Sequence, residues 1–554
     1  YQQIAEMRDD LRAVMQEVMG GAAPLPGEPH APTAPRHIAG ANPVARAVRW
    51  LKRGFTGGGS SSTSGTEHTS TPFARTHTSQ QDLHLTPSPS AGSEQHKKTV
   101  AILPFRNLSG DASVSFYEFA LADAVITELA RVRSLSVRPS SVIARFQGGE
   151  HDPREAGREL GVDAVLAASF LRGGERLRVT AQLLDVLSGD LLWSDRIDAA
   201  AADIIALQDT IAQRIVDGLR LELSPDEQAE LAQPATASAE AYEEYLRGRD
   251  LFARFIFRTL APADCDAAIA HFQRAVERDP SFALAHDGLG ACYVNRVLKG
   301  YGGGADFERA EAAFNQALAL DPQLAEARML MVFVYLWRGE KHKAREEVAR
   351  FRRQSPHEAV VHFVSAVLHR LDGEYERALR SLERLVRLDP AAHVVASYHR
   401  ALILLAQQRA AEARAEMERA RASAPDSPLV KTATALTHFY SHAPTEAAAL
   451  VRELLAAHPD MHGVRPILAM SLAAQGAHAD ARKELTEAAR TNADADPDAA
   501  YWTASAYALA GDDAQALTWL ARALALGNEQ RAWFAADPTW ATLRADARFQ
   551  DLLR

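Results

Sequence analysis

The chain has 554 residues, with 61 Lys+Arg against 71 Asp+Glu, a net charge of −10, and 47% hydrophobic and 24% charged residues. That length exceeds what one hydrophobic core serves, so several domains or a repeat array are expected, and the composition excludes a collagen-like, wholly disordered or membrane-embedded chain. The two cysteines, Cys265 and Cys292, can form neither a disulfide framework nor a four-cysteine zinc site.

Ile4, Met7, Leu11, Val14 and Val18 stand at helical spacing, so the chain opens on an amphipathic helix over residues 1–19. Residue 1 is Tyr rather than Met, which points to a longer parent protein. Residues 20–98 hold 10 Gly, 9 Pro, 9 Ser and 9 Thr, the composition of a disordered linker. Within it, residues 46–55 are basic with Trp50 and Phe55, either a solubilising charge cluster or an element that rests on an anionic membrane surface. Phosphorylation at Thr86-Pro87 or Ser88-Pro89 would change the linker's charge and reach. A bilayer-spanning helix needs about 20 apolar residues, and the longest apolar runs, 162–171 and 329–337, are about half that. With no signal-peptide layout at the start, a cytoplasmic location is expected.

At Thr99 the pattern changes to a continuous apolar run through Phe105, ended by Asn107-Leu-Ser-Gly-Asp111, which predicts a buried strand and a turn. Helices are expected over 116–132 and 153–160, with a short strand at 135–138. Leu177, Val179, Ala181 and Leu183 alternate with Arg176, Arg178, Thr180 and Gln182, the period of a strand with one wet face. Gly173-Gly174 and Ser188-Gly189 supply hairpin turns, so 163–197 reads as a three-stranded antiparallel meander. Ile204, Leu207, Ile211, Ile215 and Leu219 form the stripe of a closing helix, completing an α+β domain over 99–222, followed by a linker over 223–239.

Beyond Pro234 the strand signals stop, and prolines recur at 280, 322, 356, 390, 425 and 459. An alanine stands twelve residues before each: Ala268, Ala310, Ala344, Ala378, Ala413 and Ala447. Eight residues before each is an apolar side chain: Phe272, Phe314, Val348, Leu382, Met417 and Val451. Small residues let two antiparallel helices approach, the large one plugs the gap between neighbouring pairs, and proline stops the second helix. An extra segment, 299–306, lengthens the first interval and reads as a flexible insertion. Two less regular units follow, marked by Gly476, Ala481, Leu485 and Ala488, then Gly511, Ala516, Leu520 and Ala523. About eight helix-turn-helix units are therefore expected over 240–530, with 531–554 capping the stack.

This spacing, together with Leu289-Gly290-Ala291-Cys292-Tyr293, resembles the tetratricopeptide repeat (TPR) family, although Val332 and Ala366 stand where its glycine is expected. The resemblance implies an α-solenoid whose concave face, lined by the first helix of each unit, holds a peptide or partner protein. The segments 100–111, 159–165 and 178–183 resemble the TolB-like domain of bacterial signalling proteins, in which a Ser/Thr kinase, an adenylate cyclase or a winged-helix domain stands in front. Residues 1–11 resemble the last helix of a kinase C-lobe, which implies a kinase upstream. The fold class expected is thus multidomain, an α+β TolB-like domain followed by an all-α TPR superhelix.

The chain carries no Gly-rich loop with strand lysine, His-Arg-Asp loop or Asp-Phe-Gly site, so no phosphoryl transfer is expected from these residues, and the chain is read as a non-enzyme. Gly300-Tyr-Gly-Gly-Gly-Ala305 interrupts a helical hairpin and does not join a strand to a helix, so it is not read as a dinucleotide loop. His357 and His362 are five apart rather than four and face different sides of a helix, so no zinc site is expected. Neither cofactor nor metal is expected. Residues 241–554 carry 38 Lys+Arg and 41 Asp+Glu, which argues against a nucleic-acid partner. The partner expected is a protein or peptide laid against Met329, Phe333, Phe363, Val367 and Arg370, with packing between helices as the alternative role for the apolar ones. A second reading makes the α+β domain a small-ligand sensor through Asn107, Ser109 and Asp111.

Overall fold

The fold is that of a computed structural model describing residues 97–554 apart from 133, 150, 201–202, 226, 229–233 and 355–358. The expected helix at 1–19, the linker up to 96 with its basic stretch and Thr86 and Ser88, and His357 lie outside the described residues.

The apolar run after Lys98 forms β1 (Lys98–Ile102), whose Val100, Ala101 and Ile102 are fully buried because β1 is an interior strand with both faces covered. It lies parallel to β3 (Leu135–Val137) on one side and to β4 (Ala164–Gly173) on the other, and the two-residue β2 (Arg106–Asn107) continues along β4. Strands β4, β5 (Arg176–Asp185) and β6 (Leu191–Ala200) run antiparallel, giving the order β3-β1-β4-β5-β6. The register pairs Leu166 with Leu183 and Phe170 with Val179, which collects the alternating apolar positions on one face. The meander therefore exists, and its last strand runs three residues past the expected end at 197.

Helix α1 (Tyr117–Leu129) covers that face, with the Tyr117 ring edge-on to Phe170 at 5.9 Å. A single turn, α2 (Ser140–Ile143), and α3 (Pro153–Leu160) follow. Asp152 caps α3 by accepting from Arg154 N at 2.8 Å, and Pro153 opens it, an N-terminal pairing that sets the boundary. Helix α4 (Ile204–Gly218) closes the domain against Leu183 and Trp193.

The rest is helical. The pairs are α5 (Ala239–Arg254) with α6 (Pro262–Arg278), α7 (Ala283–Leu298) with α8 (Gly304–Leu320), and α9 (Ala325–Trp337) with α10 (Lys341–Gln354). Next come α11 (Ala359–Leu371) with α12 (Tyr375–Leu388), α13 (His393–Ala406) with α14 (Ala410–Ser423), and α15 (Pro428–Tyr440) with α16 (Pro444–Ala457). In all six pairs the second helix ends two residues before its proline. The six alanines are fully buried and the six large residues are all buried, so the spacing translates directly into packing. Gly290 shows how tight this is: a Cβ there would stand 2.4 Å from the Phe314 ring.

The seventh unit breaks its second helix. After α17 (Arg465–Ala474), the segment splits into α18 (His478–Glu484) and α19 (Glu487–Ala493), with Thr486 capping the latter. The interruption shifts the register, so Ala488 is exposed and Ala489 takes the buried position. Helices α20 (Pro497–Leu509) and α21 (Asp513–Ala525) make the eighth pair, and α22 (Arg531–Ala536) and α23 (Ala547–Leu552) close the end. One core runs without a gap from the sheet to α11, and a second from α13 to α23. Between them lies a small cluster of Ala366, Ala378, Leu382, Leu385, Ala396 and Ile403.

The array winds back on itself. Turns joining first to second helices in units two to four meet turns of units six to eight. Gly463 N donates to Gly300 O at 3.1 Å, and Asn492 Nδ2 donates to Val297 O and Gly302 O at 3.0 and 3.2 Å. The segment 299–306, expected as a flexible insertion, is instead an ordered part of this seam: its Gly302 carbonyl accepts from the buried Asn492 and its Gly300 carbonyl from Gly463 N.

Candidate functional site

The first helices of the units are the elements that a concave binding face would be built from, and here they are enclosed. Residues 466–473 of α17 and 499–508 of α20 are buried all round, the signature of helices surrounded by protein. In α11, eight of the thirteen residues, among them Val367 and Arg370, are buried.

Arg370 meets Asp498 at two points, Nη1 to Oδ1 at 3.0 Å and Nη2 to Oδ2 at 2.7 Å, with Arg370 2% exposed. Its Nε has no partner. Asp498 sits at the start of α20, where Asp496 caps the helix by accepting from Asp498 N and Ala499 N and also receives Trp337 Nε1 at 2.9 Å. Burial and the neighbouring Asp498 push the Asp496 carboxyl up to about 6. The segment between α21 and α22 lies across the same turns: Glu529 N donates to Leu371 O at 2.8 Å, Tyr375 OH donates to Gln530 Oε1 at 3.2 Å, and Lys341 Nζ reaches Glu529 at 3.5 Å. Gly339 makes the approach possible, with φ +76° and no room for a Cβ, which would stand 2.2 Å from Ala525 O.

Inside this closure, Arg370, Leu402, Leu405, Leu436, Trp502 and Trp533 help line a cavity of about 40 Å³, room for a few waters. Burial beside Arg370 holds the neighbouring His399 imidazole well below its usual range, so it is neutral.

The other proposed partner-binding residues lie along the same stack. Phe333 is buried, and its ring lies 5.6 Å from both Trp337 and Phe363, while Phe363 continues to His399 at 5.5 Å. Met329 is partly buried beside Val332, Val360 and Val361. The structure thus brings Phe333 and Phe363 together as a packed aromatic column. It places Val367 and Arg370 inside the protein rather than on an open face. Spacing alone could not show this, because Asp498, which pairs with Arg370, lies 128 residues further along the chain.

Asn107, Ser109 and Asp111 form a locally satisfied turn. Asn107 Oδ1 accepts from Ser109 N at 3.0 Å, Asn107 Nδ2 donates to Asp111 O at 2.9 Å, and Asp111 caps the next turn by accepting from Ser113 N at 2.8 Å. The Ser113 bonds hold the Asp111 carboxyl below its ordinary value. These polar groups are engaged with one another, which is what a rigid turn requires.

Among the described residues, His369, Asp372 and Glu374 bring three potential ligand atoms within 4.8 Å of one another. Both Asp372 oxygens are taken, by Lys341 at 2.7 Å and Arg345 at 2.6 Å, so the group is an ion-pair network. Cys265 and Cys292 are buried free thiols, Cys265 Sγ lying 3.8 Å from Cys292 O. No helix among the described residues is long and apolar enough to cross a membrane.

The α+β domain and the array are joined by a second buried ion pair, from Arg249 on α5 to Asp123 on α1, at 2.7 and 3.1 Å. Arg247 lies over the Phe116 ring at 4.1 Å in the same interface.

Comparison with known proteins fits this division. Residues 96–214 match the family described as HilA/YgeH-like transcriptional regulator, second domain. Tetratricopeptide-repeat models match 305–366, 369–436, 432–497 and 468–531. The chain is thus an α+β region with a mixed sheet followed by an all-helical TPR array. A curated relative, "Putative adenylate cyclase 3" of Rhizobium meliloti, is 31% identical over 207 residues, 37% of this chain and 34% of that protein. The match therefore spans about a third of the relative's length. This relative is named a putative adenylate cyclase and not a kinase, so the kinase resemblance of residues 1–11 gains no support from it. Among solved structures, a human IFIT1 dimer with m7Gppp-AAAA shares 14% identity over 58% of this chain and 77% of that one, with a TM-score of 0.38. TolB from Acinetobacter baumannii shares 18% identity over 22% of this chain and 28% of that one, with a TM-score of 0.17.

Proposed function

We propose that this chain is a non-catalytic regulatory and scaffolding region, in which the TPR array engages a protein or peptide partner and the α+β domain communicates with it as one body. The observation that carries the reading is the union of a regulator-type domain with a repeat array through the buried Asp123–Arg249 pair and a continuous core. A repeat array is a surface-generating architecture, since each unit adds side chains at a fixed offset along one face. The similarity to a cyclase favours a nucleotide-cyclase output domain elsewhere in the whole protein over a kinase. A partner that reaches Arg370 would have to displace its contacts with Asp498.

The test is cross-linking of the full chain to a partner purified from the source organism, with the cross-linked sites mapped by mass spectrometry. Cross-links concentrated in 240–530 support the reading. Cross-links confined to 97–222, or turnover of a nucleotide substrate by the purified chain, would overturn it.

A further inference from the structure

The interface between the α+β domain and the array is crowded with carboxyl groups. Helix α1 supplies Asp123 and Glu128, the turn after it Arg131, and α4 supplies Asp209. From the array, α5 supplies Arg249 with Tyr242 and Tyr245, α7 supplies Asp287, and the entry to α9 supplies Asp321 and Glu326. Among these groups, six carboxyls face two guanidiniums. Arg249 is consumed by Asp123 at 2.7 Å and Glu326 at 3.3 Å. Arg131 is stretched between Glu128 at 3.8 Å and Asp321 at 3.6 Å, too far for a strong hydrogen bond to either. Asp209 and Asp287 are left with no ion pair of their own.

Two of these groups are also stranded. Glu128 is 3% exposed and its Oε2 has no hydrogen-bond partner, and Asp287 is 2% exposed with Oδ1 unpartnered. A buried carboxylate without a partner costs several kcal/mol, and a carboxyl in that position escapes the cost by keeping its proton.

We infer that docking of the α+β domain onto the TPR array is proton-controlled: the carboxyl cluster holds the two together while protonated and loosens them as it ionises. The direction of the shifts agrees. Burial pushes Glu128 up to about 7 against the pull of Arg131, and Asp209 up to about 6. Asp287, buried beside Glu326, is held well above its ordinary range. Each folded value lies above its unfolded one, so the stability these groups contribute is present in acid and is lost as pH rises through the folded value. For Glu128 the window reaches from about 4.5 to about 7.

The experiment is amide hydrogen exchange on the full chain, read as protection factors for α1 and α5 at pH 6 and pH 8, with α21 as an internal reference remote from the interface. For Glu128, at 4.5 unfolded and about 7 folded, the opening equilibrium rises about ten-fold over this range. Wild-type protection in α1 and α5 should therefore fall by at least that factor while α21 stays level. Glu128→Gln, isosteric and uncharged, should remove about ten-fold of the fall, adding Asp209→Asn a further factor of about two, and adding Asp287→Asn what remains. Equal wild-type protection at the two pH values would overturn the inference without recourse to any variant. So would a fall that survives in the triple variant, or one that α21 shares.

Discussion

Arg370 and Asp498 are 128 residues apart in sequence and form a two-point ion pair at 3.0 and 2.7 Å in the middle of the array. The pair ties the fourth unit to the eighth, and the first helices beside it are largely buried. Removing one partner of a buried pair leaves the other charge stranded, at a cost of about 3–5 kcal/mol. Arg370→Ala should lower the unfolding free energy by about that amount in urea titration. Arg370→Glu should cost more, because it sets a third carboxyl beside Asp496 and Asp498. The paired replacement Arg370→Met with Asp498→Leu should be milder than either single change, since no charge is then left uncompensated.

Gly290 is held by a different constraint, the approach of the Phe314 ring to the α7 backbone. A methyl group at 2.4 Å cannot be accommodated without displacing that ring. Gly290→Ala should destabilise by about 1–3 kcal/mol, measured by thermal unfolding. Combining it with Phe314→Leu should recover part of the loss relative to Phe314→Leu alone, a non-additivity expected of residues in direct contact.

Asp496 predicts a pH effect on the seam. Its carboxyl, raised from 3.8 to about 6 by burial and by Asp498, binds a proton more tightly in the folded state than in the unfolded. Stability from this group is therefore present below about 4 and falls away up to about 6, then levels off. Asp496→Asn keeps an N-cap donor-acceptor group for α20 and should flatten the change in unfolding free energy between pH 4 and pH 6. A slope identical to wild type would assign the effect elsewhere.

Arg249 predicts a change in cooperativity. With Asp123 it joins the α+β domain to the array through a single core, so the two should unfold together. Arg249→Ala leaves Asp123 buried with Ser140 as its remaining partner, and the α+β domain should then melt separately. Calorimetry should show one more transition in Arg249→Ala than in the wild-type chain, since a cooperative unit divides when its interface is weakened.

The repeat architecture is legible in the sequence because it is written in local spacing. Ala268, Ala310, Ala344, Ala378, Ala413 and Ala447 are all fully buried, and the helices stop two residues short of the prolines. The same holds for β5, where Leu177, Val179, Ala181 and Leu183 face the core. The reading failed at Ala488, where a helix break after Glu484 shifts the register by one. It also failed at 299–306, whose glycines look like slack in the sequence and serve as close-approach points in the seam.

The amino-acid sequence by itself determined which segments are helices and strands, where each unit ends and which face of each helix is apolar, because these follow from interactions within about four residues along the chain and between adjacent units. Only the tertiary structure decided that the concave face is closed. That closure depends on the superhelical pitch, the accumulation of small rotations over several units, and no local period records the sum. Arg370, placed on a first helix by its spacing, was expected to meet a partner. Its partner is Asp498 of the same chain, brought to it by the return of the array.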